Sequence, residues 1–190
     1  MRGESTRAPS EKESACRTMP RFSPASRVSI RPVRFLLLDR VTRLEPPELA
    51  TGVKCVSLAD DVFVDHFPGH PIMPGSLILE ALAQLGGLLI EAAMRQRGRD
   101  DLHALLVMVD RARFRRMARP GDRLELEARA LRVGEDGGRV QASATVEGAV
   151  AAEAELGYAF AAVSHPDLIA RRREVLNVWL TGSSHDGEGK

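Results

Sequence analysis

Cysteine is nearly absent: Cys16 and Cys55 are the only two in 190 residues. Two thiols build no disulfide framework, and their spacing suits no metal site. A reducing, cytoplasmic setting is the default expectation. An excess of one charge is lacking as well. Lys and Arg number 27 against 26 Asp and Glu, for a net charge of +1. That balance excludes the strong basic bias of a typical nucleic-acid binder. Long hydrophobic runs are missing too. The longest apolar stretch, residues 77–90, is interrupted by Glu80 and Gln84, and it falls short of the ~20 residues that a membrane span requires. The first thirty residues hold no apolar core of a secretory signal, and no internal repeat is visible. What is present, 44% hydrophobic and 28% charged residues, describes one globular domain with a core of ordinary size.

Residues 1–30 are rich in Ser, Arg and Pro without apolar periodicity, and are expected to be disordered. A transit peptide and a translation start at Met19 are alternatives; Glu4, Glu11 and Glu13 weigh against the first. The domain is expected over residues 31–164, followed by a C-terminal helix and polar tail over 165–190. Residues 35–41 and 50–58 read as strands, separated by Pro46-Pro47. A loop dense in Pro and Gly, residues 65–75, precedes a helix over 76–95 that is apolar on every side and therefore buried. Four stretches with strand character follow, at 105–114, 123–133, 139–147 and 151–163. Leu124, Leu126 and Ala128, then Val140, Ala142, Ala144 and Val146, alternate with polar neighbours across Gly-rich turns. Period two with tight turns makes an antiparallel sheet. Residues 166–180 read as an amphipathic helix begun by a capping box at Ser164, packing on its own sheet. The expected class is α+β, a long central helix wrapped by a curved sheet. Gly86-Gly87 in mid-helix costs about 1 kcal/mol per glycine, so a close backbone approach there is expected.

Glu80 and Gln84 lie one turn apart on that helix. Burying an unpaired carboxylate is costly, and a carboxyl kept partly neutral can serve as a general acid. The plainer alternative is a structural Glu80–Gln84 hydrogen bond. The preceding loop reads Asp65-His66-Phe67-Pro68-Gly69-His70-Pro71-Ile72-Met73-Pro74-Gly75. Three prolines stiffen it and hold His66 in one place, as a general base requires; a His that only bonds loop backbone is the alternative. At Pro74-Gly75-Ser76 the helix opens, and free N–H groups at Gly75 suit a thioester carbonyl, unless Gly75 is merely a tight entry. His66 and His70 as a metal pair fail for want of a third ligand nearby. Arg111, Arg113 and Arg115 alternate, with Arg116 and Arg119 close behind. They form either a dock for an acidic partner or a solvated strand face.

The segment His66-Phe67-Pro68-Gly69-His70-Pro71-Ile72-Met73-Pro74-Gly75-Ser76-Leu77-Ile78-Leu79-Glu80-Ala81-Leu82-Ala83-Gln84 closely resembles the signature of bacterial 3-hydroxyacyl-acyl-carrier-protein dehydratases. Residues 35–41, Arg113-Phe114-Arg115 and Pro120-Gly121-Asp122-Arg123-Leu124 extend the resemblance over about residues 33–163. It implies a hot-dog fold, a cofactor-free and metal-free lyase, His66 as catalytic base and Glu80 as catalytic carboxylate. It implies also that Gly75 N–H meets the thioester carbonyl. Phe67, Pro74 and Gln84 are counted with Gly75 as substrate-contacting candidates, and Arg111, Arg113, Arg115 and Arg116 as the docking site for acyl carrier protein. In such families the His and the carboxylate come from different subunits, so the expected assembly is a homodimer or trimer of dimers. Glu80 stands where the dehydratase/isomerase branch has Asp, which favours the simple dehydratase branch. Departures occur at Ile30-Arg31-Pro32-Val33-Arg34, at Ser76 and in the two long extensions. A catalytically silent hot-dog subunit and a hot-dog acyl thioesterase are the rival readings.

Overall fold

The computed structural model describes residues 35–180. The expected disordered segment 1–30 and the tail beyond Leu180 lie outside the described residues. Six strands form one antiparallel sheet: β1 (Arg40–Glu45), β2 (Leu49–Cys55), β3 (Leu102–Phe114), β4 (Arg123–Val133), β5 (Gly137–Val146) and β6 (Ala149–Ala162), in the order β1-β2-β4-β5-β6-β3. Helix α1 (Gly75–Gln96) lies in its concave face and touches every strand; helix α2 (Pro166–Leu180) follows β6. One helix reaches six strands only if the sheet curls around it. Register shifts with an extra residue in β1, β3, β4 and β6 supply bends of the kind that bulges introduce.

The alternation read from the sequence is the packing that forms. Leu124, Leu126, Ala128, Val140, Ala142, Ala144 and Val146 are all at most 2% exposed. They meet Leu82, Leu85, Leu88, Leu89 and Ile90 of α1, all fully buried. Each such aliphatic side chain contributes about 1.5–3 kcal/mol by leaving water. By length and composition α1 resembles a membrane span, yet 78% of its most apolar window is buried inside the protein. It is the core helix.

The Gly86-Gly87 pair has the close approach it requires. A Cβ on Gly86 would sit 2.5 Å from the Tyr158 hydroxyl, which donates to the Ala83 carbonyl at 2.9 Å. Between β5 and β6, Glu147 (φ 51) and Gly148 (φ 77) take the paired left-handed conformations of a tight hairpin.

Three expectations are corrected. Residues 35–39 are not strand: Leu38 is buried, but the Leu37 and Leu38 N–H groups donate to the Gln84 side chain rather than to a ladder. Backbone pairing begins only at Asp39, whose N–H donates to the Val53 carbonyl at 3.0 Å, and the apolarity of residues 36–38 reflects packing on the core. At the start of α2, His165 rather than Ser164 caps the helix, accepting the Asp167 N–H at 3.3 Å. Nor does α2 rest on the sheet alone. Trp179, 1% exposed, donates its indole N–H to the Leu38 carbonyl at 2.6 Å, and Arg172 bonds Glu91 of α1.

Candidate active site

The loop before α1 is locked by its own backbone. Phe67-Pro68-Gly69-His70 closes as a turn through a 2.9 Å bond from His70 N–H to Phe67 carbonyl, with Gly69 at φ 74. Proline second and a left-handed glycine third are the needs of a type II turn. Ile72 N–H donates back to His66 carbonyl at 3.1 Å, and Met73 N–H donates to Ala118 carbonyl at 2.8 Å. His66, half-buried, stacks on Phe67 with ring centroids 4.2 Å apart. Its Nδ1 lies 2.9 Å from the Ile72 carbonyl oxygen. A carbonyl can only accept, so Nδ1 carries the proton and Nε2 of the neutral ring keeps its lone pair.

His66 lines a cavity of about 450 Å3 together with Ile72, Gly75, Ser76, Phe114 and Arg115. A Cβ on Gly75 would stand 2.7–3.0 Å from the Phe114 ring, so the absent side chain lets the helix opening and β3 meet. Phe67 is half exposed beyond its stack on His66; neither it nor Pro74 lines this cavity.

Glu80 faces a different space. With Gln84, Gly87, Glu91, Leu105, Leu106, Tyr158 and Arg172, among others, it lines a cavity of about 360 Å3. Gln84 is held at both ends. Its Oε1 accepts the Leu37 and Leu38 N–H groups at 3.0 and 3.2 Å, which fixes the amide, and its Nε2 donates to Phe35 carbonyl and, at 3.0 Å, to Glu80 Oε1. Gln84 thus orients Glu80. The deep burial expected for Glu80 is not found; it is half-buried, because it sits on the α1 face that opens to this cavity. Burial first, then the charge of Glu80, push the Tyr158 phenol far above its usual range, against a backbone bond from Gly87.

Sequence reasoning missed Glu91, His103, Tyr158 and Arg172. The signal for Glu91 was present: Glu80, Gln84, Gly87 and Glu91 step by four, three and four along one helix face. Long-range partners gave no signal.

The arginines are less free than their pattern implied. Arg111 pairs with Glu155 at 3.5 Å, Arg113 and Arg115 share Glu153 at 3.6 and 2.6 Å, and Arg116 reaches Glu147 at 3.0 Å. Glu153 and Glu155 alternate on β6, so the three β3-side arginines do share a face. Arg115 beside Glu153 holds that carboxyl below its ordinary range. Arg115 and Arg116 line the His66 cavity. Among the described residues no group of three His, Cys, Asp or Glu side chains could hold a metal ion.

A FabA-like domain matches residues 30–155. The 3-hydroxyacyl-[acyl-carrier-protein] dehydratase FabZ of Chloroflexus aggregans is 47% identical over 125 residues, 66% of this chain and 85% of that protein. Among solved structures, the dehydratase heterocomplex ApeI:P from Xenorhabdus doucetiae superposes with a TM-score of 0.56 at 20% identity, over 73% of this chain and 90% of that one. A hypothetical thioesterase from Streptococcus pneumoniae, solved with coenzyme A, superposes at 0.52 and 9% identity, over 66% and 88%. The two structural likenesses show the fold alone, the hot-dog, and both chemistries appear among their names.

Proposed function

This chain belongs to the FabA-like family and dehydrates 3-hydroxyacyl thioesters of acyl carrier protein to trans-2-enoyl thioesters in fatty-acid biosynthesis, and we propose that it does so at a site assembled from two subunits. His66 Nε2 removes the proton α to the thioester carbonyl. Electrons of that C–H bond form the new double bond as the C3–O bond breaks, and Glu80 gives its proton to the departing hydroxyl, which leaves as water. The Gly75 N–H, at the positive end of α1, steadies the charge that gathers on the carbonyl oxygen. Gln84 keeps the Glu80 carboxyl aimed.

The observation that carries the two-subunit reading is the position of β3. It is an edge strand of 13 residues with Leu105, Val107, Val109 and Phe114 exposed. A long apolar edge is a template for pairing with another chain. Leu105 and Leu106 line the Glu80 cavity near one end of β3, and Phe114 lines the His66 cavity at the other. Antiparallel pairing of two copies about a two-fold axis near Asp110 sets Leu106 of one against Phe114 of the other. That juxtaposes each Glu80 cavity with the opposite His66 cavity. This dimer is the smallest complete unit, and either it alone or a trimer of such dimers is the assembly that the resemblance implies. Arg115 and Arg116, at the mouth of the His66 cavity, are the best placed of the four docking candidates for the acidic carrier; Arg111 and Arg113 stand further out. The setting we assign is cytoplasmic.

Complementation tests this directly. His66→Ala and Glu80→Gln homodimers each lose about 10²–10⁴ in rate. Co-expressed, half of the dimers are mixed and each mixed dimer regains one intact site, so about a quarter of wild-type activity returns. No recovery in verified mixed dimers would place both groups in one chain and sink the shared site. Release of free thiol in place of enoyl product would favour hydrolysis.

A further inference from the structure

The cavity beside α1 is not uniformly apolar. Glu80 and Gln84 stand at one end; Ala83, Gly87, Ala104, Leu105 and Leu106 line the middle; Glu91, His103 and Arg172 stand at the other. Glu91 follows Glu80 by eleven residues on the same face, about 16 Å along the axis. An extended alkyl chain covers that distance with about a dozen carbons of ~1.5 Å bond length.

The far end is rigid. Glu91 is 4% exposed, and both its oxygens are engaged: Oε1 accepts the Ala104 N–H at 2.9 Å, and Oε2 accepts Arg172 Nε and Nη2 at 3.2 and 2.7 Å. His103 Nδ1 lies 4.0 Å from Oε1. The Arg172 guanidinium is also 5.4 Å from the centre of the buried Trp179 ring, within cation–π range. Beyond this group lies another space of about 390 Å3, lined by the same His103 and Arg172, by the apolar Val163, Ile169 and Leu176, and by the charged Arg95, Asp100, Asp101 and Arg173. His103 and Arg172 are therefore a partition between two spaces rather than the floor of one.

We propose that the Glu91–Arg172 pair, carried between α1 and α2 with His103 beside it, is the end stop of the acyl channel and sets the longest chain accepted. This rests on the reading of Glu80 as the acid end of that channel. A methyl terminus arriving at the stop gains no apolar contact. Advancing further means parting Arg172 from Glu91, which leaves a carboxylate buried without its cation. Through α2, the C-terminal segment thus determines substrate length.

The test measures kcat/KM of the full chain on carrier-bound 3-hydroxybutyryl, 3-hydroxydecanoyl and 3-hydroxystearoyl thioesters. Wild type is expected to favour the middle member over the longest. Arg172→Ala opens the partition; the double variant Glu91→Gln/Arg172→Ala does so without stranding a charge, and circular dichroism checks its fold. Both should raise the stearoyl-to-butyryl ratio of kcat/KM by at least about 10-fold, since each methylene newly buried is worth about 4-fold. Arg172→Lys should keep the wild-type cut-off. An unchanged ratio in the folded double variant overturns the stop while leaving the dehydratase reading intact. Wild type inert towards all three thioesters overturns that reading and the stop with it.

Discussion

The two halves of the proposed site are built in opposite ways. The His66 half is a largely local construction: a type II turn, three prolines and six backbone hydrogen bonds within or beside residues 62–73 fix the ring and its tautomer. The Glu80 half is a distant one. Its carboxylate is aimed by Gln84, Gln84 is held by residues 35–38, Leu38 is held by Trp179, and the cavity ends on Arg172. A half-site made of neighbours in sequence resists perturbation elsewhere, whereas one made of long-range contacts transmits it. Changes at residues 35–38 or at Trp179 should therefore reach Glu80, whereas the ring position and tautomer of His66, fixed within its own loop, should withstand changes at such distance.

The sharpest probe of the local half is Gly75→Ala. The new methyl must displace the Phe114 ring, and a shift of about 1 Å at a reacting centre can cost about 10²-fold in kcat. Steady-state kinetics checks it, and Phe114→Ala in the same chain should restore part of the loss. For the distant half, Gln84→Ala removes the Glu80 contact and strands the two N–H groups at Leu37 and Leu38. About a 10-fold rate loss is expected, with about 1–3 kcal/mol of stability lost from the unpaired donors, read by urea unfolding. An unchanged Tm with normal kcat would show that Gln84 aims nothing.

A third comparison lies within α1. Gly86→Ala forces a Cβ against the Tyr158 hydroxyl and should cost about 1–3 kcal/mol. Gly87→Ala meets its nearest atoms at 3.5 Å and beyond, and should gain up to about 1 kcal/mol from helix propensity. Opposite signs in thermal melts are the expected result.

The smallest effect concerns pH. Tyr158 has its phenol pKa raised by burial and by Glu80, so the folded state holds that proton more tightly than the unfolded chain does. Its contribution is intact below the unfolded value near 10 and declines as pH climbs above it. Tyr158→Phe loses about 1 kcal/mol from the bond to Ala83, and should flatten the alkaline fall in stability. An equally steep fall in that variant assigns the dependence to another group.

How much was legible follows the same division. The bounds of β4 and α2 and the core alternation of β4 and β5 agree with the sequence reading to within two residues, because periodicity is a local property that the chain writes directly. Residues 35–39 were misread as strand, since an apolar run does not say whether its partner is a ladder or one glutamine side chain. Deep burial of Glu80 was misjudged because the apolar count of a helix does not reveal which face opens to a cavity.

The amino-acid order alone determined the helix-in-sheet class, the stiff loop that delivers His66, the Glu80–Gln84 pair and the family to which the chain belongs. Each depends on residues within a turn or two of one another, or on a contiguous motif. Only the tertiary structure decided that His66 and Glu80 face separate cavities in one chain, that β3 is left as an open apolar edge, and that Glu91 meets Arg172 eighty-one positions away. Such contacts form when the curled sheet and α2 close around α1, and pairings of that range leave no period in the sequence from which to read them.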